Sequence, residues 1–202
     1  PFMIIITKLD MINNEYISNI LKSISEIIFK FNTNLNLVEF NNTNFAILKD
    51  QENQKKVIKE AVALAKENQF DGIVLDLEVS AIPFDSLIKQ ITIFITLFAQ
   101  ETRKSQLTFS LTLYGDVFYR LRPFDVKALS KQADTVMIMA YDFSKAKGNP
   151  GPNFPFPEFT LMVQDFLNLI PKEKLVIVFG MFGYDFTVDN HGASSKQAEA
   201  RT

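Results

Sequence analysis

The chain has no cysteine, no tryptophan and one histidine among its 202 residues, and no glycine before Gly72. Without thiols, zinc fingers, iron–sulfur ligation, thiol catalysis and disulfides are excluded together. The one histidine stands in the polar stretch His191-Gly192-Ala193-Ser194-Ser195, where a solvated residue is expected. A Ser-His-Asp triad or a two-histidine metal site would need an imidazole among core strands. Chemistry must then come from carboxylates, tyrosine, lysine, arginine or hydroxyls. The glycine-free start excludes an early phosphate loop of the GxGxxG or Walker kind. No apolar run is long enough to span a membrane. With 21 basic against 23 acidic residues, no electrostatic footprint for nucleic acid exists. Pro1-Phe2 has no basic leader and apolar core ahead of it, so a processed chain or a fragment is expected.

What the chain does have is 47% hydrophobic residues with 20 Phe, enough for a real core in one domain over 1–202. Short β-branched or aromatic runs alternate with stretches of helical period. Strands are expected at 2–7, 34–40, 72–78, 107–113, 135–139 and 175–179. Between them, Ile17 to Phe31 forms one helical stripe. Asp50 can cap a helix that buries Val57, Ala61, Leu64 and Ala65. Pro83 opens a helix with Leu87, Ile91, Phe94, Ile95 and Phe98 inward. A short helix follows near 123–131 and another over 157–169. Strict βα order implies parallel strands with crossover helices, leaving a doubly wound sheet and a (β/α)8 barrel both open. Linker-like composition is confined to 145–157 and the tail from Thr187.

Two strand ends carry the chemistry. In Asp71-Gly72-Ile73-Val74-Leu75-Asp76-Leu77-Glu78, Asp76 and Glu78 are two apart and share a face at the C-terminal end of a strand. Sites are built there in parallel βα folds. Paired inward carboxylates are costly unless something uses them; the alternative is that both bend out to loop lysines or arginines. In Met137-Ile138-Met139-Ala140-Tyr141-Asp142-Phe143, a second such run ends in a phenol and a carboxylate, which a loop cap would also explain.

The first segment resembles the signature of family 18 glycoside hydrolases, Asp-Gly-x-Asp-x-Asp-x-Glu, at the end of the fourth barrel strand. The second resembles that family's Met-x-Tyr-Asp at the end of the sixth. Within the family the chain is similar to the branch of chitinase domain-containing protein 1, also called stabilin-interacting chitinase-like protein. The residues that carry this are Phe70-Asp71-Gly72, Tyr141-Asp142-Phe143-Ser144, Pro150-Gly151-Pro152-Asn153-Phe154-Pro155 and Phe182-Gly183-Tyr184-Asp185-Phe186. The resemblance runs from about Asn34 to the C-terminus. It implies a (β/α)8 barrel, here incomplete: a full barrel takes about 250 residues, and the second to seventh strands are present with the first and eighth missing.

The resemblance also implies a mechanism. Glu78 is the general acid, Asp76 orients the substrate's 2-acetamido group, and the acetamido oxygen is the nucleophile, an exception to the two-carboxylate rule. Tyr141 would hydrogen-bond the acetamido carbonyl. Asp142 would hold a distorted sugar ring and raise the Glu78 pKa by like charge. Asp71, Met139, Tyr114, Phe182, Tyr184 and Asp185 are the expected substrate-binding residues, with Tyr119 a further ring able to stack on a sugar. No cofactor and no metal are expected; the partner is a chitin-type oligosaccharide, with a protein partner unspecified, and residence is secreted or lysosomal. Three departures from the family pattern stand out. Val74 replaces the innermost signature Asp, Leu77 the usual Trp, and Val38-Glu39-Phe40 a Ser-Gly-Gly element. Sugar binding with or without hydrolysis is therefore the expectation, the alternative being a non-catalytic lectin. Asn41-Asn42-Thr43 is a glycosylation sequon.

Overall fold

The structure is a computed structural model that describes residues 3–7, 46–79, 81–144, 148–193 and 198–201. The stripe from Ile17 to Phe31, the strand at 34–40, Val38-Glu39-Phe40 and the sequon lie outside the described residues. The elements are β1 (Met3–Thr7), α1 (Gln51–Glu67), β2 (Gly72–Asp76), α2 (Asp85–Lys104), β3 (Thr108–Tyr114), α3 (Val126–Gln132), β4 (Thr135–Ala140), α4 (Phe156–Leu167), β5 (Leu175–Phe179), β6 (Gly183–Asp185) and β7 (Glu199–Arg201). They fall into two compact units. One is Pro1–Thr112 with Leu121–Thr135, the other Leu113–Arg120 with Val136–Thr202.

In the first unit β2 and β3 pair in parallel, Gly72 opposite Thr108 and Leu75 opposite Leu111. Gly72 is required by that approach: a Cβ there would lie 2.8 Å from the Thr108 carbonyl oxygen, inside any real contact. Thus the Asp-Gly of the motif is explained by strand packing. α1 starts where Asp50 accepts from the N–H groups of Glu52 (2.9 Å) and Asn53 (3.3 Å), satisfying two orphan donors. Its buried stripe is Gln54, Ile58, Ala61, Val62 and Ala65; Val57 and Leu64, expected inside, are half-buried. The stripe is rotated because Gln54 joins it: its side-chain amide donates to the Leu48 carbonyl at 2.8 Å, so a polar residue fills an inward position. α2 buries Leu87, Ile91, Phe94, Ile95 and Phe98, as expected. Phe98 is fully buried, with ring centroids 5.9 Å from Phe94 and 5.5 Å from Phe109. Asp134 ends α3's loop by exchanging two bonds with Phe109, both 2.8 Å, one through its carboxylate and one through its N–H.

One expectation is corrected. β1 forms, but it runs antiparallel to β2, with Met3 opposite Asp76 and Thr7 opposite Gly72. An all-apolar run such as MIIIT reads alike in both directions, so its pattern carries no strand polarity.

In the second unit β4 and β5 pair in parallel from Val136–Leu175 to Ala140–Phe179, and α4 packs with Met162 and Phe166 buried. Phe118 caps Phe166 at 4.7 Å. β6 and β7 form a small antiparallel pair, β7 lying in the stretch expected to be tail; three-residue strands are too short to leave a periodic signal. Parallel strands joined by helices make this an α/β fold consistent with a partial (β/α)8 barrel. No helix among the described residues is long and apolar enough to cross a membrane.

Candidate active site

In the first unit, two carboxylates stand at the end of β2. Side chains from Leu75 to Val79 alternate in burial: Leu75, Leu77 and Val79 are buried, whereas Asp76 and Glu78 are half-buried. That alternation puts the two carboxylates on one side of the extended chain. Val74, on the same side one step earlier, is 2% exposed. The chain therefore runs from a sealed floor at Val74 in β2 to half-buried Glu78, two residues beyond the strand's end rather than within it as expected. Thr112 on β3 donates its hydroxyl to Asp76 Oδ1. Burial pushes the Asp76 carboxyl above the usual carboxylate range, and the Thr112 hydrogen bond opposes that rise without cancelling it. A proton-holding carboxylic acid can donate as well as accept, which a fully ionised one cannot. Asp71 does not join this pair. It precedes β2 at the opposite end, roughly 16 Å away at the usual rise per residue, and its carbonyl accepts from the Thr108 N–H at 2.9 Å. The signature's first Asp thus lies at the wrong end of the strand to meet a ligand at Glu78.

In the second unit, a cavity lies at the end of β4. Tyr141 and Asp142 leave the strand half-buried and line a cavity of about 210 Å³ with Gly115, Asp116, Tyr119, Arg120, Phe143, Glu158 and Leu161. Gly115 lets the turn after β3 approach β4 and α4 closely: a Cβ there would meet the Met139 carbonyl oxygen at 2.5 Å and the Met162 sulfur at 2.8 Å. The Asp116 carboxylate pairs with Arg120 at 3.1 Å. The Tyr119 phenol donates to Asp165; burial first, then that hydrogen bond and the Asp165 charge, push it up to about 12, so it stays a neutral donor.

Asp142 has a left-handed backbone, φ 61°, a conformation few non-glycine residues adopt. Its Oδ1 accepts from the Tyr184 phenol at 2.8 Å. Burial, then the Asp142 hydrogen bond and charge, raise the Tyr184 phenol above its ordinary value. The rings of Tyr141, Phe182, Tyr184 and Phe186 follow one another edge to face at 5.8, 5.7 and 6.2 Å. The series links Tyr141, beside Asp142 in sequence, to three rings on the chain that follows β5, of which Tyr184 meets Asp142. Met139 is buried in β4 and Tyr114 is half-buried at the end of β3; neither lines the cavity. Asp185 is exposed and pairs with Arg201 at 3.6 Å, one residue off the side on which Tyr184 meets Asp142.

Sequence reasoning missed Arg120, Asp116, Glu158 and Leu161, and it gave Asn153 no role. They lie in loops or early in a helix, where no spacing rule marks them. A cavity of this kind offers ring faces, carboxylates and a guanidinium to a hydroxyl-rich ligand. Among the described residues, no group of three or more His, Cys, Asp or Glu is arranged to hold a metal ion.

The family described as Glycosyl hydrolases family 18 matches residues 21–202. The Bacillus subtilis (strain 168) protein YdhD, provisionally named a sporulation-specific glycosylase, is 29% identical over 68 residues, 34% of this chain and 16% of YdhD. Its crystal structure matches with a TM-score of 0.74 at 17% identity, over 96% of this chain and 65% of that one. The C-terminal domain of a provisionally named chitinase from Desulfitobacterium hafniense DCB-2 matches with a TM-score of 0.69 at 21% identity, over 95% and 58%. The spore cortex-lytic enzyme SleL of Bacillus cereus matches with a TM-score of 0.68 at 20% identity, over 96% and 44%. The chain thus spans less than two thirds of each of these three proteins. At such identities the structural likeness is one of fold.

Proposed function

The chain belongs to glycosyl hydrolase family 18, and on that premise we propose that it binds N-acetylglucosamine-containing, chitin-type oligosaccharides and hydrolyses their β-1,4 bonds by a retaining, substrate-assisted route. The observation that carries this reading is Asp76, a half-buried carboxyl held above its usual range two residues before Glu78, at the C-terminal end of a parallel strand. Glu78 is the general acid on the glycosidic oxygen. Asp76, hydrogen-bonded by Thr112, orients the acetamido group so that its oxygen attacks the anomeric carbon. Tyr141 donates to the acetamido carbonyl, and Asp142 holds the ring.

One observation favours a second reading, that of a lectin without turnover. Val74 occupies a sealed position on the Asp76 side of β2 where the family signature has a carboxylate, so the inner partner that would relay a proton with Asp76 is replaced by hydrocarbon. The expected outcome of Glu78→Gln is loss of turnover on a chitobiose reporter with chitooligosaccharide affinity kept. Wild-type protein that binds the oligosaccharide without turnover would remove the enzyme reading and leave the lectin. Within the family, the segments Tyr141–Ser144, 150–155 and 182–186 support the chitinase domain-containing branch. Secreted or lysosomal residence goes with that branch and is checked by localising a tagged full-length protein.

A further inference from the structure

Asp142 combines two features that its surroundings have to support. Its backbone has φ 61°, in the left-handed region that side-chain-bearing residues other than Asn and Asp rarely adopt. Its carboxylate is half-buried beside a phenol. Something must over-determine the conformation, and the polar contacts around it lead to one side chain. The Asp142 N–H donates to Asn153 Oδ1 at 2.6 Å. The Asn153 Nδ2 donates to the Phe182 carbonyl at 3.0 Å. The Phe143 N–H donates to the Asn153 backbone carbonyl at 3.1 Å. One residue therefore ties the loop after β4 to the chain that carries Phe182 and Tyr184. Because one end of its amide faces an N–H and the other a C=O, its orientation is fixed by the network.

We propose that Asn153 is a positioning residue: it locks Asp142 in the left-handed conformation and so delivers the Asp142 carboxylate to Tyr184 and to the cavity mouth. The chemistry requires an amide. The Asp142 N–H needs an acceptor and the Phe182 carbonyl needs a donor, and among side chains of that length asparagine supplies both on one rigid plane. An aspartate keeps the acceptor and sets a negative charge against the Phe182 carbonyl. A leucine keeps the volume and offers neither. Without the acceptor, the backbone of Asp142 returns to negative φ, its Cβ swings to a new direction, and the carboxylate leaves Tyr184.

The readout is the phenol of Tyr184. Its raised pKa has two causes that depend on Asp142 being in place, besides burial. The experiment is an ultraviolet pH titration of the full chain, each protein measured against its own Tyr184→Phe counterpart to isolate that phenol. Asp142→Asn sets the scale, lowering the Tyr184 midpoint toward the ordinary value of about 10. Asn153→Leu, which removes both the acceptor and the donor, is expected to lower it comparably. An unchanged midpoint in Asn153→Leu overturns the proposal. If that variant does not fold, amide hydrogen exchange in the unaltered chain decides: a protected Asp142 N–H supports the clamp, and exchange as fast as in an open loop overturns it. The use of Asp142 in turnover rests on the function proposed above. There, Asn153→Leu should lower kcat on the order of 10–100-fold, with KM less affected. A lowered Tyr184 midpoint with turnover intact would sink the catalytic use of Asp142 and leave the positioning role standing.

Discussion

Asp76 and Asp142 each follow a buried parallel strand, yet they are held by different means. Asp76 takes its direction from the pleat at the end of β2, where Leu75 and, just beyond the strand, Leu77 and Val79 are buried on the other side, and among the described residues the Thr112 hydroxyl donates to it. Asp142 has already left its strand, sits in a strained backbone conformation, and is placed by Asn153 and Tyr184. The first carboxylate is presented by apolar packing, the second by a polar clamp. Packing leaves the Asp76 carboxyl poorly solvated and its pKa raised; at Asp142 an amide holds the backbone and a phenol donates to the carboxylate.

The comparison breaks most heavily at Phe98. Phe98→Ala removes a fully buried ring packed on Phe94 and Phe109, and chemical denaturation should show a loss of about 3–5 kcal/mol. A loss under about 1 kcal/mol would mean that β2 and β3 do not depend on that packing.

A smaller effect sharpens the Asp76 side. Its folded pKa lies above its unfolded value of 3.8, so the folded state holds a proton the unfolded state releases. Stability should then fall as pH rises from about 3.8 through the folded pKa, and level off above it. Asp76→Asn removes this penalty. The variant should be more stable than wild type at neutral pH, with the difference vanishing below the unfolded pKa. Thr112→Val removes the one opposing hydrogen bond and should widen the window to higher pH. Parallel stability–pH curves for wild type and Asp76→Asn would show that burial does not set the Asp76 titration.

The smallest effect belongs to Asp185, expected from the sequence to bind substrate. Its side chain and that of Arg201 are both more than half exposed, and Asp185→Asn should cost about 0–1 kcal/mol. Oligosaccharide affinity measured by calorimetry should hardly change. A large loss would move Asp185 from the β6–β7 pair into the binding surface.

Much of this was legible before any coordinates. Burial of Leu87, Ile91, Phe94, Ile95 and Phe98 follows from helical period, and the Asp50 cap from the chemistry of orphan N–H groups. Asp76 and Glu78 sharing a side follows from a period of two. The rest was not legible because no local rule encodes it. β1's direction is absent from an apolar run that reads the same both ways. Asp71 looked like part of a site because it stands in the motif, whereas its residue number alone places it at the far end of the strand once the strand's bounds are known. Asn153 lies 11 residues from Asp142 and 29 from Phe182 along the chain, in a stretch whose composition reads as linker.

The sequence by itself determined the α/β alternation, the apolar stripes and the two strand ends that bear carboxylates. Periodicity and capping are properties of neighbours in the chain, and they act before distant segments meet. Tertiary structure alone decided that Val74 seals the floor beneath Asp76, that Thr112 tempers its pKa, and that Asn153 and Tyr184 place Asp142. Burial, desolvation and long-range hydrogen bonds come into being only when segments far apart in sequence share the same space.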